Sequence, residues 1–204
     1  MTALEITPAD LGAPDLSIPT HLPSAVRAEL ALEAIAPARA VLDDDGDAAL
    51  HEHDRRDLLF VCSSGGHLAH FMTMREWWAK HDRRWVTFDL PDSRARLAEE
   101  DVVWAHYPTT RHARNAVRNF FLAFRVLRER RPDVILSTGA AVAVSFFVAG
   151  FLLRIPRVYI EVIDRVDSAT LSGRLCRSIS SVFCVQLEEQ LDVYPHARLI
   201  GPLL

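Results

Sequence analysis

Residues 58–71 read LLFVCSSGGHLAHF: an apolar run, two serines, two glycines, then a segment of helical periodicity that opens at His67. That is how a buried strand turning tightly into a helix looks in sequence. Paired glycines let a backbone approach a ligand closely, and the amides at a helix start form an anion site. A turn that needs glycine only for packing would be written with the same letters. The spacing matches neither the GxGxxG dinucleotide fingerprint nor a Walker loop with its lysine.

The alternation continues outward from this stretch. Strands are predicted at 57–62, 84–90, 102–107, 133–137, 157–162, 181–186 and 197–200. Helices are predicted at 67–80, 92–99, 111–131, 140–153, 169–180 and 187–193. The expected fold is therefore α/β, a Rossmann-like parallel sheet with helices on both faces, and its ligands belong outside the carboxyl ends of the strands. Val134–Leu153 holds 20 residues without a charge, long enough to span a bilayer. It divides into a β-branched strand, a TGAA turn and a short apolar helix, so a buried core is the expected reading.

Composition separates this body from a leader. The 204 residues carry a net charge of −4 and are 50% apolar. Residues 1–57 hold 12 acidic and 4 basic side chains and five of the 11 prolines, with DDDGD at 43–47. The expected organisation is an acidic, Pro/Ala-rich, disordered leader over 1–56 and one domain over 57–204. Within the leader a short helix is predicted at 24–35, capped by Ser24. Three cysteines, Cys62, Cys176 and Cys184, make no disulfide framework and suit a reducing compartment. The N-terminus has no secretory-signal pattern.

Four features can carry chemistry. At the first turn, Ser63, Ser64, Gly65 and Gly66 offer hydroxyls and amides, and His67 is a candidate general base. His70, one helical turn on, is expected to pack or be solvated. Cys62, His67 and His70 match no strong zinc spacing, so no metal and no cofactor are expected. At the second turn, Ser137, Thr138 and Gly139 again bring small residues and hydroxyls to a helix start. After the fifth strand, Glu161 is placed to meet a hydroxyl of a sugar or ribose. Asp164 and Asp167 suit an ion pair with Arg165 or a helix cap. The fourth feature is RHARNAVRNFFLAFRVLRERR at 111–131, with seven arginines and one acid. Val117, Phe120, Phe121, Phe124 and Leu127 recur there at helical spacing, beside Arg114, Arg118, Arg125 and Arg128. Such a helix suits an anionic membrane surface, or packs its phenylalanines on the sheet under a solvated arginine face. Nucleic acid is not an expected partner.

SSGGHL, STGAA, YIEVIDRVDSATLSGRL and the terminal YPHARLIGPLL, in that order, resemble the acceptor-side subunit of bipartite glycosyltransferases. These are the relatives of asparagine-linked glycosylation protein fourteen, with bacterial versions in exopolysaccharide and capsule clusters. A more distant likeness is to the N-terminal half of the peptidoglycan lipid-intermediate GlcNAc transferase. The resemblance covers about residues 57–204 and implies half of a GT-B fold in an inverting transferase. It implies a polyprenyl-diphosphate-linked acceptor, a partner chain that binds the UDP-sugar (GlcNAc or a relative such as glucuronic acid), and a place on the cytoplasmic face of the plasma membrane. Carried over by motif, Ser63, Ser64, Gly65, Gly66, Ser137, Thr138 and Gly139 meet the acceptor diphosphate. His67 is the base and Glu161 lies at the cleft. Arg114, Arg118, Phe120, Phe121, Phe124 and Arg125 face the membrane. The chain ends where a fused enzyme would continue into its second half. The family's eukaryotic members begin with a membrane-spanning helix, whereas residues 1–57 here are acidic and polar. Two other readings are a non-catalytic scaffold that recruits the partner to the membrane, and a stand-alone Rossmann-type nucleotide-binding enzyme.

Overall fold

The computed structural model describes residues 55–109 and 112–203. The helix expected at 24–35 lies outside them. Seven strands form one parallel sheet: β1 (Asp57–Val61), β2 (Asp82–Phe88), β3 (Val102–Ala105), β4 (Val134–Ser137), β5 (Arg157–Ile160), β6 (Val182–Val185) and β7 (Arg198–Leu199). Their spatial order is β3-β2-β1-β4-β5-β6-β7. Connections run outward from β1 on one side and from β4 on the other. The sheet therefore reverses between β1 and β4, where a parallel α/β sheet opens a crevice at its carboxyl edge.

Strand alternation sorts the core into two layers. Leu58, Phe60, Leu136, Val158 and Ile160 face one side, where helices α1 (Gly66–Met72) and α2 (Arg75–Trp78) pack. Phe60 stacks on Trp85 there, with ring centroids 4.4 Å apart, and Phe71 and Trp78 meet Trp85 edge-on. Leu59, Val61, Ile135 and Tyr159 face the other side, against α4 (Ala113–Glu129), α5 (Ala141–Leu152) and α6 (Leu171–Arg177). Short helices α3 (Pro91–Arg96) and α7 (Gln190–Val193) complete the connections.

The uncharged run Val134–Leu153 is β4, a turn and α5, as expected. α5 has 12 residues, roughly 18 Å of helix against a hydrocarbon core of about 30 Å. No helix among the described residues is long and apolar enough to cross a membrane.

Three helices differ from expectation for local reasons. The helix predicted over 67–80 breaks at Thr73, because the Thr73 hydroxyl donates to the carbonyl of His70 and the Trp78 indole to that of Phe71. The helix predicted from 169 starts at Leu171, since Thr170 caps it by accepting the Gly173 amide at 2.9 Å. The one predicted from 187 shortens to Gln190–Val193 because the buried Gln190 side chain accepts the amides of Gln186 and Leu187.

Candidate functional site

The two serine-and-glycine turns lie side by side at the sheet reversal. β1 runs out at Val61, and Gly65 turns the chain into α1 with φ +75°. A side-chain carbon at Gly65 or Gly66 would meet nothing within 4 Å, so this turn borders open space. The Gly65 amide donates to Asp92 Oδ2 at 2.8 Å. β4 ends at Ser137, whose Oγ accepts the Gly139 amide at 3.0 Å. Gly139 has φ +114°, and a side-chain carbon there would lie 2.9 Å from the Tyr159 hydroxyl and 3.1 Å from His67 Cε1.

Two reciprocal hydrogen bonds join the turns. Thr138 Oγ1 donates to the His67 carbonyl at 2.9 Å, and His67 Nδ1 lies 2.8 Å from the Thr138 carbonyl oxygen. A carbonyl only accepts, so Nδ1 carries the proton and the neutral ring keeps its lone pair on Nε2. Ser137 and Thr138 are fully buried beneath it, and their hydroxyls hold the turns in place.

Above the turns a cavity of about 960 Å³ opens, lined in part by Ser63, Ser64, His67, Phe88, Tyr107 and Val144. The first turns of four helices border it: His67 on α1, Ala113 on α4, Ala141 on α5 and Leu171 on α6. Each helix start carries partial positive charge, a polarity that suits an anionic ligand. No lysine, arginine, aspartate or glutamate lines it among the described residues. Its rim is apolar and exposed, with Tyr107 60%, Leu171 75% and Leu175 50% accessible.

Glu161 lies elsewhere. It is 1% exposed and does not line this cavity. Its carboxylate accepts from Thr170 Oγ1 at 3.0 Å, from the Tyr194 hydroxyl at 2.6 Å and from the Val162 amide at 3.2 Å. A side-chain carbon at Gly173 would sit 2.1 Å from Glu161 Oε2, so glycine is what lets α6 seat on this group. Burial, and secondarily the nearby Glu161 carboxylate, pushes the Tyr159 and Tyr194 hydroxyls well above the usual phenol range. The contact with a ligand hydroxyl expected of Glu161 thus gives way, in this conformation, to anchoring the start of α6.

His70 is buried, and burial followed by the neighbouring His67 lowers its pKa. The Cys62 thiol is pushed up to about 12 by burial, which opposes ligation as thiolate. No group of three His, Cys, Asp or Glu stands in a metal-holding arrangement among the described residues.

The apolar stripe expected on the arginine-rich helix is divided in two. α4 buries Asn115, Asn119, Leu122, Ala123, Val126 and Leu127, while Val117 and Phe121 stay 55% and 68% exposed. Phe120 and Phe124 are half-buried between these faces. Two asparagines occupy inward positions because they tie down the segment after β3. Asn119 accepts the His106 amide and donates to its carbonyl, and Asn115 donates to the Pro108 carbonyl. Arg114, Arg118, Arg125 and Arg128 are exposed on the same helix, Arg128 lying over the Phe124 ring.

Asp92, Tyr107 and His112 also stand at these turns or in the cavity wall, with little signal in the sequence. Asp92 follows a helix-starting proline and reads as a routine first-turn acid. His112 is lost among arginines, although its place just before a long amphipathic helix is that of an N-cap.

Residues 58–203 match the family described as "Oligosaccharide biosynthesis protein Alg14 like". Over 92 residues the chain is 28% identical to the mouse UDP-N-acetylglucosamine transferase subunit ALG14, covering 42% of each. It is 24% identical over 178 residues to the Rattus norvegicus protein of the same name, covering 72% of this chain and 82% of that one. The chain thus spans less than half the length of the mouse relative. Among solved structures, MurG of Acinetobacter baumannii superposes with a TM-score of 0.58 at 14% identity, over 71% of this chain and 44% of that one. UDP-GlcNAc 2-epimerase from Neisseria meningitidis, bound to UDP-GlcNAc, gives 0.53 at 15% identity, over 67% and 42%. At such identities these likenesses bear on the fold alone. The match covers nearly the whole described body, and the chain belongs to the Alg14-like family of oligosaccharide biosynthesis proteins.

Proposed function

We propose that this chain is the acceptor-binding, membrane-associating subunit of a two-chain glycosyltransferase. The transferase moves a sugar from a UDP-sugar, held by a partner chain, to a polyprenyl-diphosphate-linked sugar at the cytoplasmic face of the plasma membrane. The observation that carries this reading is the cavity at the β1–β4 reversal, where four helix starts meet His67 beneath an apolar rim. Backbone amides suit a diphosphate, the exposed Leu171 and Leu175 suit a lipid chain, and Nε2 of His67 suits a hydroxyl that must lose its proton. Ser63, Ser64 and Gly66 are the donors at the open turn. Ser137, Thr138 and Gly139 hold His67 in register, and Glu161 shapes the cleft through α6.

In the reaction the acceptor hydroxyl attacks the anomeric carbon of the donor sugar. His67 Nε2 takes the hydroxyl proton as the new glycosidic bond forms and the bond to UDP breaks. The Thr138 carbonyl, accepting from Nδ1–H, stabilises the imidazolium so formed. The resident arginines are on the outer face of α4, beside Val117 and Phe121, where they suit anionic headgroups.

Reconstitution with the UDP-sugar-binding partner tests the reading. His67→Ala should lower turnover about 10²- to 10⁴-fold with assembly intact, the usual contribution of a general base. Undiminished turnover removes His67 from the chemistry. The exposed Val117 and Phe121 also favour a second role, recruitment of the partner to the membrane. If bulky replacements of Gly65 and Gly66 leave transfer intact, recruitment is the whole function.

A further inference from the structure

We infer that His112 is a phosphate-binding residue of the acceptor cavity, donating Nε2–H to an ionised phosphate oxygen of a ligand whose hydroxyl end meets His67. The inference rests on the acceptor-site reading above and extends it to the opposite wall. His112 lines the same cavity as His67. It is the N-cap of α4, and its Nδ1 accepts the backbone N–H of Asn115 at 3.3 Å. A ring nitrogen that accepts must be unprotonated, so the proton of neutral His112 sits on Nε2. His67 is set the other way, with Nδ1–H given to the Thr138 carbonyl and the lone pair left on Nε2. Backbone hydrogen bonds thus fix the two rings in opposite tautomers. One presents an acceptor to the cavity and the other a donor.

The surroundings assign the donor to phosphate. At the first turn the Gly65 amide is already donated to the Asp92 carboxylate, so the opposite wall must supply a further donor to the diphosphate. The described wall on the α4 side carries Tyr107, Thr109, His112, Ala113 and Ala116 and no acid. Ala113 and Arg114 stand in the first turn of α4, whose amides have no carbonyl within the helix to bond. A ligand with a hydroxyl at one end and a charged phosphate at the other satisfies both histidines only in one orientation. The pair therefore sets the direction in which the acceptor lies.

The test uses the purified full chain, with farnesyl diphosphate as probe and farnesol as its uncharged control. Histidine-selective ¹⁵N spectra of the free chain should show Nε2–H at His112 and Nδ1–H at His67. In titration, His112→Ala and His112→Asn should each weaken farnesyl diphosphate binding about tenfold or more and leave farnesol unchanged. Asparagine is a good N-cap but too short to reach the cavity, so His112→Asn should melt like the parent. An Nδ1–H tautomer at His112 overturns the inference. So does parental affinity in His112→Asn, which leaves the acceptor-site reading standing. Failure of the parent chain to bind farnesyl diphosphate above farnesol overturns both.

Discussion

The two turns at the sheet reversal look alike in sequence, Ser63-Ser64-Gly65-Gly66 and Ser137-Thr138-Gly139-Ala140, yet the fold uses them differently. The first faces space: an added side-chain carbon at either glycine meets nothing within 4 Å. The second is closed: Gly139 fits against Tyr159 and the His67 ring, and both hydroxyls before it bond to backbone. The first glycine pair borders open space, whereas the glycine of the second turn is small for its neighbours' sake. A short glycine motif therefore states that something comes close without stating what.

The sharpest way to break this contrast is Gly139→Val. A left-handed φ and two overlapping contacts should cost about 3 kcal/mol or more, and lower the melting temperature by roughly 6–12 °C. Parental melting would show the second turn to be as open as the first. Gly66→Leu is the mirror experiment. Stability should stay within about 0.5 kcal/mol, while transfer by the reconstituted pair falls about 100-fold, near 2.7 kcal/mol of binding or transition-state energy. Equal losses of stability at both glycines would erase the distinction.

Thr138→Val removes the hydroxyl that donates to the His67 carbonyl and ties the two turns together. It should cost about 1–2 kcal/mol in urea denaturation and reduce turnover by displacing His67. Ser64→Ala, on the open turn, should leave the denaturation midpoint unchanged and weaken acceptor binding only a fewfold. The smallest effect concerns Cys62, the residue before the open turn. Burial pushes its thiol, like that of Cys184, up to about 12, leaving roughly one thiolate in 10⁴ at pH 8. Iodoacetamide should label the two equally slowly in the native chain. Faster labelling of Cys62 would mean that the open turn also moves.

Much of the scaffold was readable from sequence because its signals are local. All seven strands fall where apolar, β-branched runs put them, and parallel order follows from their alternation with helices. Ser63–His67 and Ser137–Gly139 are readable as strand-to-helix turns, since turn chemistry is written in adjacent residues. What escaped is what depends on distant partners. Asn115 and Asn119 displace the expected apolar stripe because they bind a backbone segment that no helical periodicity reveals. Glu161 looked available for a ligand because Tyr194 and Thr170, which hold it, come from other parts of the chain. His112 acquires meaning only when α4 is docked with its first turn facing α1.

The link between His67 and Thr138 also bears on how the chain is made. These residues are 71 positions apart, and β1 lies between β2 and β4. During synthesis β1 gains β2 early, but its other edge stays unpaired until β4 emerges. At about 5–20 residues per second, the interval between His67 and Thr138 lasts roughly 4–14 s. Through it the apolar strand Leu58–Val61 presents free amides and carbonyls to any other nascent chain. The strand order that gives the finished protein its crevice thus leaves one edge of β1 without its partner until β4 is made.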